Sequence, residues 1–288
     1  QKTDEAKAAL AQAKDAGVKD EILNQLTLRL NTQKKTNQQI SIIQEPTQEQ
    51  VQSLISLCTQ SRYQEALIQV SKLLKEFPDN INLYDISGAV NQRLGQLEEA
   101  IQAYKKAVAI KPDYAEAHNN IGIALQEQSK LAGAIQAFTK ALSIKPNFAE
   151  AYNNMGVILK KQGKLKEAIQ AFKKAVAIKP DYAEAYCNTG VALKDEGKLV
   201  AAIETYNKAV SIKPDYAEAY WNLSGTAENI SEAKAWVQKS VEADPDLLKA
   251  KLTLVALQFY EGDKSKFNEV IKSPLKKSSI HTFFCLGF

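Results

Sequence analysis

The chain has 288 residues, of which 45% are hydrophobic and 24% charged, a composition typical of an ordinary globular protein. Its 37 basic and 33 acidic residues leave a net charge of +4, too small and too mixed to indicate a nucleic-acid or acidic-membrane partner. No apolar run reaches the roughly 18 residues that a membrane helix needs. Cys58, Cys187 and Cys285 are too few and too scattered for a disulfide framework or a zinc site, so we expect a reducing, cytoplasmic location.

The first 46 residues form a region of their own. Residues 4–31 hold two segments with helical spacing of apolar residues, separated at Gly17, and they predict an N-terminal helical hairpin over 1–31. Residues 32–46 are mostly polar with a small apolar island, which is typical of a linker.

A 34-residue period governs the sequence that follows. The string KPDYAEAY begins at Lys179 and again at Lys213, and near-copies begin at Lys111 and Lys145. Residues 149–182 and 183–216 are identical at 22 of 34 positions. Such self-similarity predicts stacked copies of one supersecondary unit, each in contact mainly with its neighbours, instead of two compact domains.

Each repeat predicts a pair of helices. In residues 149–182, apolar residues recur at helical spacing in both halves, with Gly163 between the halves and Pro180 at the end. Small residues recur where two antiparallel helices must approach closely, and a larger side chain there would overpack. They are Gly88, Gly122, Gly156 and Gly190 in the first helices, and Ala100, Ala134, Ala168 and Ala202 in the second helices.

The recurring string KPDYAEA is predicted to mark a helix boundary. Its proline ends one helix, the next residue is an Asp or Asn suited to an N-cap, and a Glu three positions later would complete a capping box. The predicted pairs are Asp113 with Glu116, Asn147 with Glu150, Asp181 with Glu184, and Asp215 with Glu218.

These repeats resemble the tetratricopeptide repeat (TPR) family. In residues 149–182 the pattern of that family is matched by Tyr152, Met155-Gly156, Ala168, Phe172, Ala175 and Pro180. The resemblance implies an all-α fold, a right-handed TPR solenoid of antiparallel helical hairpins. We place regular repeats at 81–114, 115–148, 149–182 and 183–216, degenerate repeats at 47–80, 217–247 and 248–276, and an apolar tail at 277–288.

No group of residues predicts catalysis. The chain has two histidines: His118 takes the packing position held by Tyr152 in the next repeat, and His281 stands alone near the end. A nucleophile with its base, a cluster of metal ligands and a phosphate-binding glycine loop are all missing from the sequence. We therefore expect a protein without catalytic residues, metal or cofactor.

The strongest candidate for a binding site is a row of asparagines. Asn120, Asn154, Asn188 and Asn222 recur two positions before the glycine site of the first helix, while Ile86 interrupts the series. An amide side chain donates and accepts hydrogen bonds, so an evenly spaced row suits the backbone of an extended peptide. The row is similar to the asparagine ladder of the TPR superhelix of O-GlcNAc transferase, which implies peptide binding in the concave groove. The alternative is that duplication copied a solvated asparagine.

Selectivity would have to come from neighbouring positions that vary between repeats. Trp221 is the best anchor among them by residue type. The candidates are Asn119, Asn153, Cys187 and Trp221, together with Lys160, Lys161, Lys194, Asp195 and Glu228.

The function predicted first is a protein-interaction scaffold whose partner is a protein or peptide, with neither nucleic acid nor membrane involved. A second hypothesis is the substrate-recruiting region of a larger bacterial glycosyl-, sulfo- or methyltransferase, which the missing initial Met and the abrupt end at Phe288 favour. A third is a scaffold that self-associates into a homo-oligomer through its end repeats or its C-terminal tail.

Overall fold

The computed structural model describes residues 45–260, and within that range it shows thirteen α-helices and no strand. This confirms the all-α prediction. The predicted hairpin at 1–31, the linker up to residue 44 and the tail at 277–288 lie outside the described residues. The chain divides into two compact units after Asn80.

The described part of the first unit is a single hairpin, made of α1 (Gln48–Thr59) and α2 (Tyr63–Glu76). A capping box begins α1: the Thr47 hydroxyl accepts from the backbone N–H of Gln50, and the Gln50 side chain accepts from that of Thr47. Leu54, at the position where later repeats have glycine, is fully buried.

The second unit continues the alternation of first and second helices. Each first helix contacts the second helix of its own repeat, and each second helix contacts the first helix of the next repeat. The helices are α3 (Ile81–Arg93), α4 (Leu97–Ile110), α5 (Ala115–Glu127), α6 (Leu131–Ile144), α7 (Ala149–Lys161), α8 (Leu165–Ile178), α9 (Ala183–Asp195), α10 (Leu199–Ile212), α11 (Ala217–Ser224), α12 (Ile230–Ala243) and α13 (Leu248–Tyr260).

The recurrent spacing of small residues is explained by an aromatic ring in each regular hairpin. The ring of Phe172 on α8 lies against Gly156 on α7, so closely that a Cβ on Gly156 would stand 2.6 Å from the Phe172 Cε1 atom. Phe172 is fully buried, as is Ala168 one turn before it. The other regular hairpins repeat this contact, with Tyr104 against Gly88, Phe138 against Gly122, and Tyr206 against Gly190.

Replacing Gly156 by alanine is therefore expected to destabilise the unit. Overpacking costs about 1–3 kcal/mol, more than the roughly 1 kcal/mol that alanine gains over glycine in a helix. Guanidinium unfolding followed by circular dichroism measures the change. The matched control is Gly133→Ala on α6, where the added Cβ would meet only the end of the Leu125 side chain at 3.3 Å, and stability should not fall. Equal stability losses in both variants would contradict the close contact with Phe172.

The turns inside the hairpins use left-handed backbone. Gly163, two residues after the end of α7, has φ = +75°, a conformation that glycine adopts without steric cost. Ser129 takes the same place after α5 with φ = +60°.

The predicted capping boxes at the repeat boundaries are wrong. Helices α5, α7, α9 and α11 have Tyr114, Phe148, Tyr182 and Tyr216 as N-caps, without a side-chain capping bond. The reason is visible at Lys179: its carbonyl accepts from the backbone N–H of Tyr182, so Lys-Pro-Asp-Tyr forms a β-turn with proline at its second position. Asp181 is thereby held inside the turn and the helix begins two residues later. Asp113, Asn147 and Asp215 likewise precede the N-cap.

The repeat at 217–247 is shortened in its first helix. Helix α11 has 8 residues, against 13 in α9, and ends at Ser224, the residue in the glycine position. Asn229 then caps α12 by accepting from the backbone N–H of Glu232 at 2.9 Å. Of the hairpin predicted at 248–276, only α13 is described.

Candidate functional site

Two columns of side chains run along the first helices of the second unit. The sixth residues of α5, α7, α9 and α11 are Asn120, Asn154, Asn188 and Asn222, which we call the amide row. The fifth residues of α3, α5, α7, α9 and α11 are Asp85, Asn119, Asn153, Cys187 and Trp221, which we call the junction column. Helix α7 contacts both α5 and α9, so the columns continue from repeat to repeat.

Each member of the amide row donates a hydrogen bond to the junction column of the preceding repeat. The Nδ2 atom of Asn154 lies 3.1 Å from Asn119 Oδ1, and that of Asn188 lies 3.0 Å from Asn153 Oδ1. At the two ends, Asn120 Nδ2 lies 3.1 Å from Asp85 Oδ1, and Asn222 Nδ2 lies 3.3 Å from Cys187 Sγ. These bonds link residues 35 positions apart and fix the orientation of each amide.

Tyrosines from the boundary turns bind the same column. The Tyr114 hydroxyl hydrogen-bonds with Asp85, Tyr182 with Asn153, and Tyr216 with Cys187. Burial raises the pKa of Tyr114 to about 12 and that of Cys187 to about 11, so both are neutral at pH 7.

The junction column differs in exposure between its middle and its ends. Asn119, Asn153 and Cys187 are buried, with exposed fractions of 6%, 1% and 3%. Asp85 and Trp221, the end members, remain partly exposed, as do all four members of the amide row. Asn119 and Asn153 therefore bind other repeats and lie beneath the surface, while the amide row lies at it.

The remaining candidates lie at the C-terminal ends of the first helices or, for Glu228, in the loop between α11 and α12. Lys160 is partly buried, whereas Lys161 and Lys194 are exposed, and none of the three forms an ion pair with a carboxylate of residues 45–260. The Lys194 ammonium lies against Gly225, directly after the shortened α11. Asp195 and Glu228 are also exposed.

The recurrent glutamates of the boundary strings join consecutive repeats. Glu116 binds Lys145 at 2.7 Å, and this ion pair lowers the pKa of Glu116. The Lys145 ammonium also lies 4.6 Å above the ring of Phe148. Similar ion pairs join Glu150 to Lys179 at 3.2 Å and Glu218 to Lys249 at 2.8 Å.

Glu184 departs from this pattern and accepts from Asn153 Nδ2 at 2.9 Å. The glutamate–lysine contacts were missed by the sequence reasoning, although Glu116 and Lys145 recur with the same 34-residue period. Asp85 was missed as well, although it occupies the position of Asn119.

Groups suited to metal binding or to a membrane span are not found in the described part of the chain. No group of three or more His, Cys, Asp or Glu side chains there is arranged to hold a metal ion. No helix there combines the length and hydropathy needed to span a bilayer. His118 is partly buried, with Nε2 3.4 Å from the carbonyl oxygen of Pro112, and burial lowers its pKa.

Comparisons with known proteins agree with this architecture. MamA, known from a crystal structure, is 27% identical with a TM-score of 0.50, and the match covers 57% of this chain and 95% of MamA. The pilF protein of Pseudomonas aeruginosa is 19% identical with a TM-score of 0.61, over 71% of this chain and 95% of pilF. A chain of the APC/C hetero-tetramer Cut9-Hcn1 is 17% identical with a TM-score of 0.64, over 72% of this chain and 42% of its own length.

At 17% and 19% identity, the last two comparisons show a shared fold and nothing more. No curated protein sequence matches the chain. A family model described as TPR repeat matches residues 92–129, 127–163, 158–197 and 190–224. These matches cover residues 92–224, the region in which the helical hairpins, the glycine–aromatic contacts and the inter-repeat bonds recur. Over these residues the chain matches the tetratricopeptide-repeat family.

Proposed function

We propose that the second unit is a non-catalytic scaffold that binds an extended peptide along its first helices, with the amide row holding the peptide backbone. The observation that carries the proposal is the amide row itself. Its members recur in four successive repeats, remain partly exposed and are each oriented by a bond to the preceding repeat. Amide groups fixed in this way pay little entropy when they bind a ligand.

The two columns have different roles: the amide row contacts the peptide, and the buried members of the junction column position the amides. Each amide retains a second N–H for a peptide, because the inter-repeat bond uses one N–H. The carbonyl oxygens of the row are also available, although that of Asn120 accepts from Asn119 Nδ2 at 3.5 Å. Asn119 and Asn153, which are buried, act as positioning residues. Lys160, Lys161, Lys194 and Trp221 are proposed to contact side chains of the peptide.

The expected affinity is modest. At about 0.5–1.5 kcal/mol for each net hydrogen bond, four amides contribute roughly 2–6 kcal/mol, which corresponds to weak binding near the millimolar range. Side-chain contacts must supply the rest.

The partner is proposed to be a protein or peptide, because a net charge of +4 gives little attraction for nucleic acid. Cys58 and Cys187 are both free thiols, which agrees with a cytoplasmic location.

Peptide selection from a random display library tests the proposal. Peptides enriched on the wild-type chain are measured by fluorescence polarisation against the wild type and against Asn154→Ala with Asn188→Ala. We expect the double variant to bind at least about tenfold more weakly, the loss of roughly two hydrogen bonds. Methylating the backbone nitrogens of the same peptides should weaken binding to the wild type more than to the variant.

The control variant is Asn119→Ala with Asn153→Ala, which removes the same two inter-repeat bonds from their buried side. It should fold less stably but lose less affinity per folded molecule. Equal affinity losses in the two double variants, or no effect of backbone methylation, would contradict direct contact by the amide row.

A further inference from the structure

We propose that the two end members of the junction column select the bound peptide by its side chains. Asp85 binds a lysine or arginine side chain or an N-terminal ammonium group, and Trp221 binds an apolar side chain. This inference rests on the proposed peptide binding and adds the class and register of the peptide to it.

Burial singles out these two positions. The three middle members of the column are covered by their neighbours, whereas Asp85 and Trp221 are the members with partly exposed side chains. They are also the charged and the aromatic member of the column, whereas the members between them are two amides and a thiol. The ends of the column can therefore contact the side chains of a bound peptide. The amide row, which is the same in each repeat, would contact the peptide backbone.

Asp85 has polar partners but lacks a counter-charge. Its Oδ1 atom accepts from Asn120, and Tyr114 donates to its carboxylate. Among residues 45–260 it forms no ion pair, and the neighbouring charge that acts on it is the carboxylate of Glu116. Burial raises its pKa. A half-buried carboxylate without a cation is costly, so an ammonium or guanidinium group from a ligand is favoured there.

Trp221 is held firmly at the other end. Its Nε1 atom donates to Thr253 Oγ1 at 3.1 Å, and the Lys249 ammonium lies 4.5 Å from the centroid of its ring. Lys249 is itself bound to Glu218 at 2.8 Å. An aromatic ring fixed in this way offers apolar surface with little loss of entropy on binding.

The repeat number sets the distance between the two contacts. Four steps separate α3 from α11, and packed helices lie about 8–10 Å apart, so the span is roughly 32–40 Å. An extended chain advances about 3.3 Å per residue, so the basic and apolar residues should lie about 10–12 positions apart.

The test uses synthetic peptides of Gly and Ser that carry one Lys and one Leu about 11 positions apart, in both orders along the chain. Matched peptides replace Lys by Gln, replace Leu by Ser, or shorten the interval to about 5 positions. Fluorescence polarisation with the full chain is expected to show about fivefold tighter binding for Lys over Gln, a preference that weakens with salt. The peptide with the shortened interval should lose either the preference for Lys over Gln or the preference for Leu over Ser, because it cannot reach both contacts at once.

The diagnostic variant is Asp85→Asn, which installs the residue found at positions 119 and 153 and keeps an acceptor for Asn120. It should abolish the preference for Lys and leave the Gln peptide unaffected. The control is Asp181→Asn, an exposed carboxylate in the turn before α9 that should leave the preference unchanged.

The outcomes separate this inference from the proposed function. Peptides that bind through the amide row without a preference for Lys, or with a preference that survives Asp85→Asn, overturn the inference alone. If the affinity does not depend on the number of positions between Lys and Leu, the proposed spacing of the two contacts is wrong. Failure of every peptide to bind, in both orders, overturns the inference together with peptide binding along this face.

Discussion

Replacing Phe172 by alanine is expected to lower the free energy of unfolding of the second unit by about 3–5 kcal/mol. The side chain is fully buried between the two helices of its hairpin, with Gly156 against its ring. It belongs to a core cluster that also contains Cys187 and Tyr206 of the next repeat. The cavity therefore weakens two repeats together. Chemical denaturation monitored by circular dichroism gives the change directly.

Two variants control for this result. Phe172→Tyr should be far less damaging, because tyrosines fill the equivalent positions at Tyr104 and Tyr206. Lys173→Ala, at an exposed position on the same helix, should change stability by less than about 0.5 kcal/mol. A loss in Phe172→Ala no larger than that in Lys173→Ala would show that the ring does not lie in the core.

Replacing Asn153 by alanine is expected to cost about 2 kcal/mol, a large effect for a polar residue. Asn153 is almost fully buried, accepts from Asn188, and donates to Glu184. Removing it leaves polar groups of three other side chains, Asn188, Glu184 and Tyr182, without this partner. Unsatisfied buried groups cost about 1–3 kcal/mol each. Glu184 is exposed and recovers water, which limits the total.

The sequence supplies a matched control for this position. Cys187 stands at the equivalent place one repeat later and accepts from Asn222 at 3.3 Å. Asn153→Cys should therefore lose less stability than Asn153→Ala, as measured by denaturation under reducing conditions. Equal stability of all three proteins would mean that the inter-repeat bonds contribute nothing.

The helices and hairpins were predictable because their causes are local. Apolar spacing, Gly163 and Pro180 recur within one repeat, and the small residue at Gly156 already indicates a close approach. The capping boxes failed because proline draws Asp181 into a β-turn, a competition that counting residues does not reveal. Contacts between repeats were out of reach: Asn188 and Asn153 are 35 residues apart, and stacking alone brings them together.

The candidate site was predictable in part. The period disclosed the amide row, but the burial of Asn119 and Asn153 depends on how tightly neighbouring hairpins pack. Asp85 escaped notice because Ile86 interrupts the asparagine series beside it. Its place at the end of the column follows from the geometry of the bond to Asn120.

The direction of the inter-repeat bonds makes the regular repeats interchangeable parts. Each asparagine of the row donates to the fifth residue of the first helix in the preceding repeat. The repeats at 115–148, 149–182 and 183–216 therefore each carry a donor towards one neighbour and an acceptor towards the other. If residues 149–182 were deleted, Asn188 would meet Asn119, whose amide oxygen accepts as that of Asn153 does. Gene duplication or loss can thus lengthen or shorten the array by whole repeats while neighbouring repeats keep their hydrogen bonds. The length of a partner bound along the array would then also change by whole repeats.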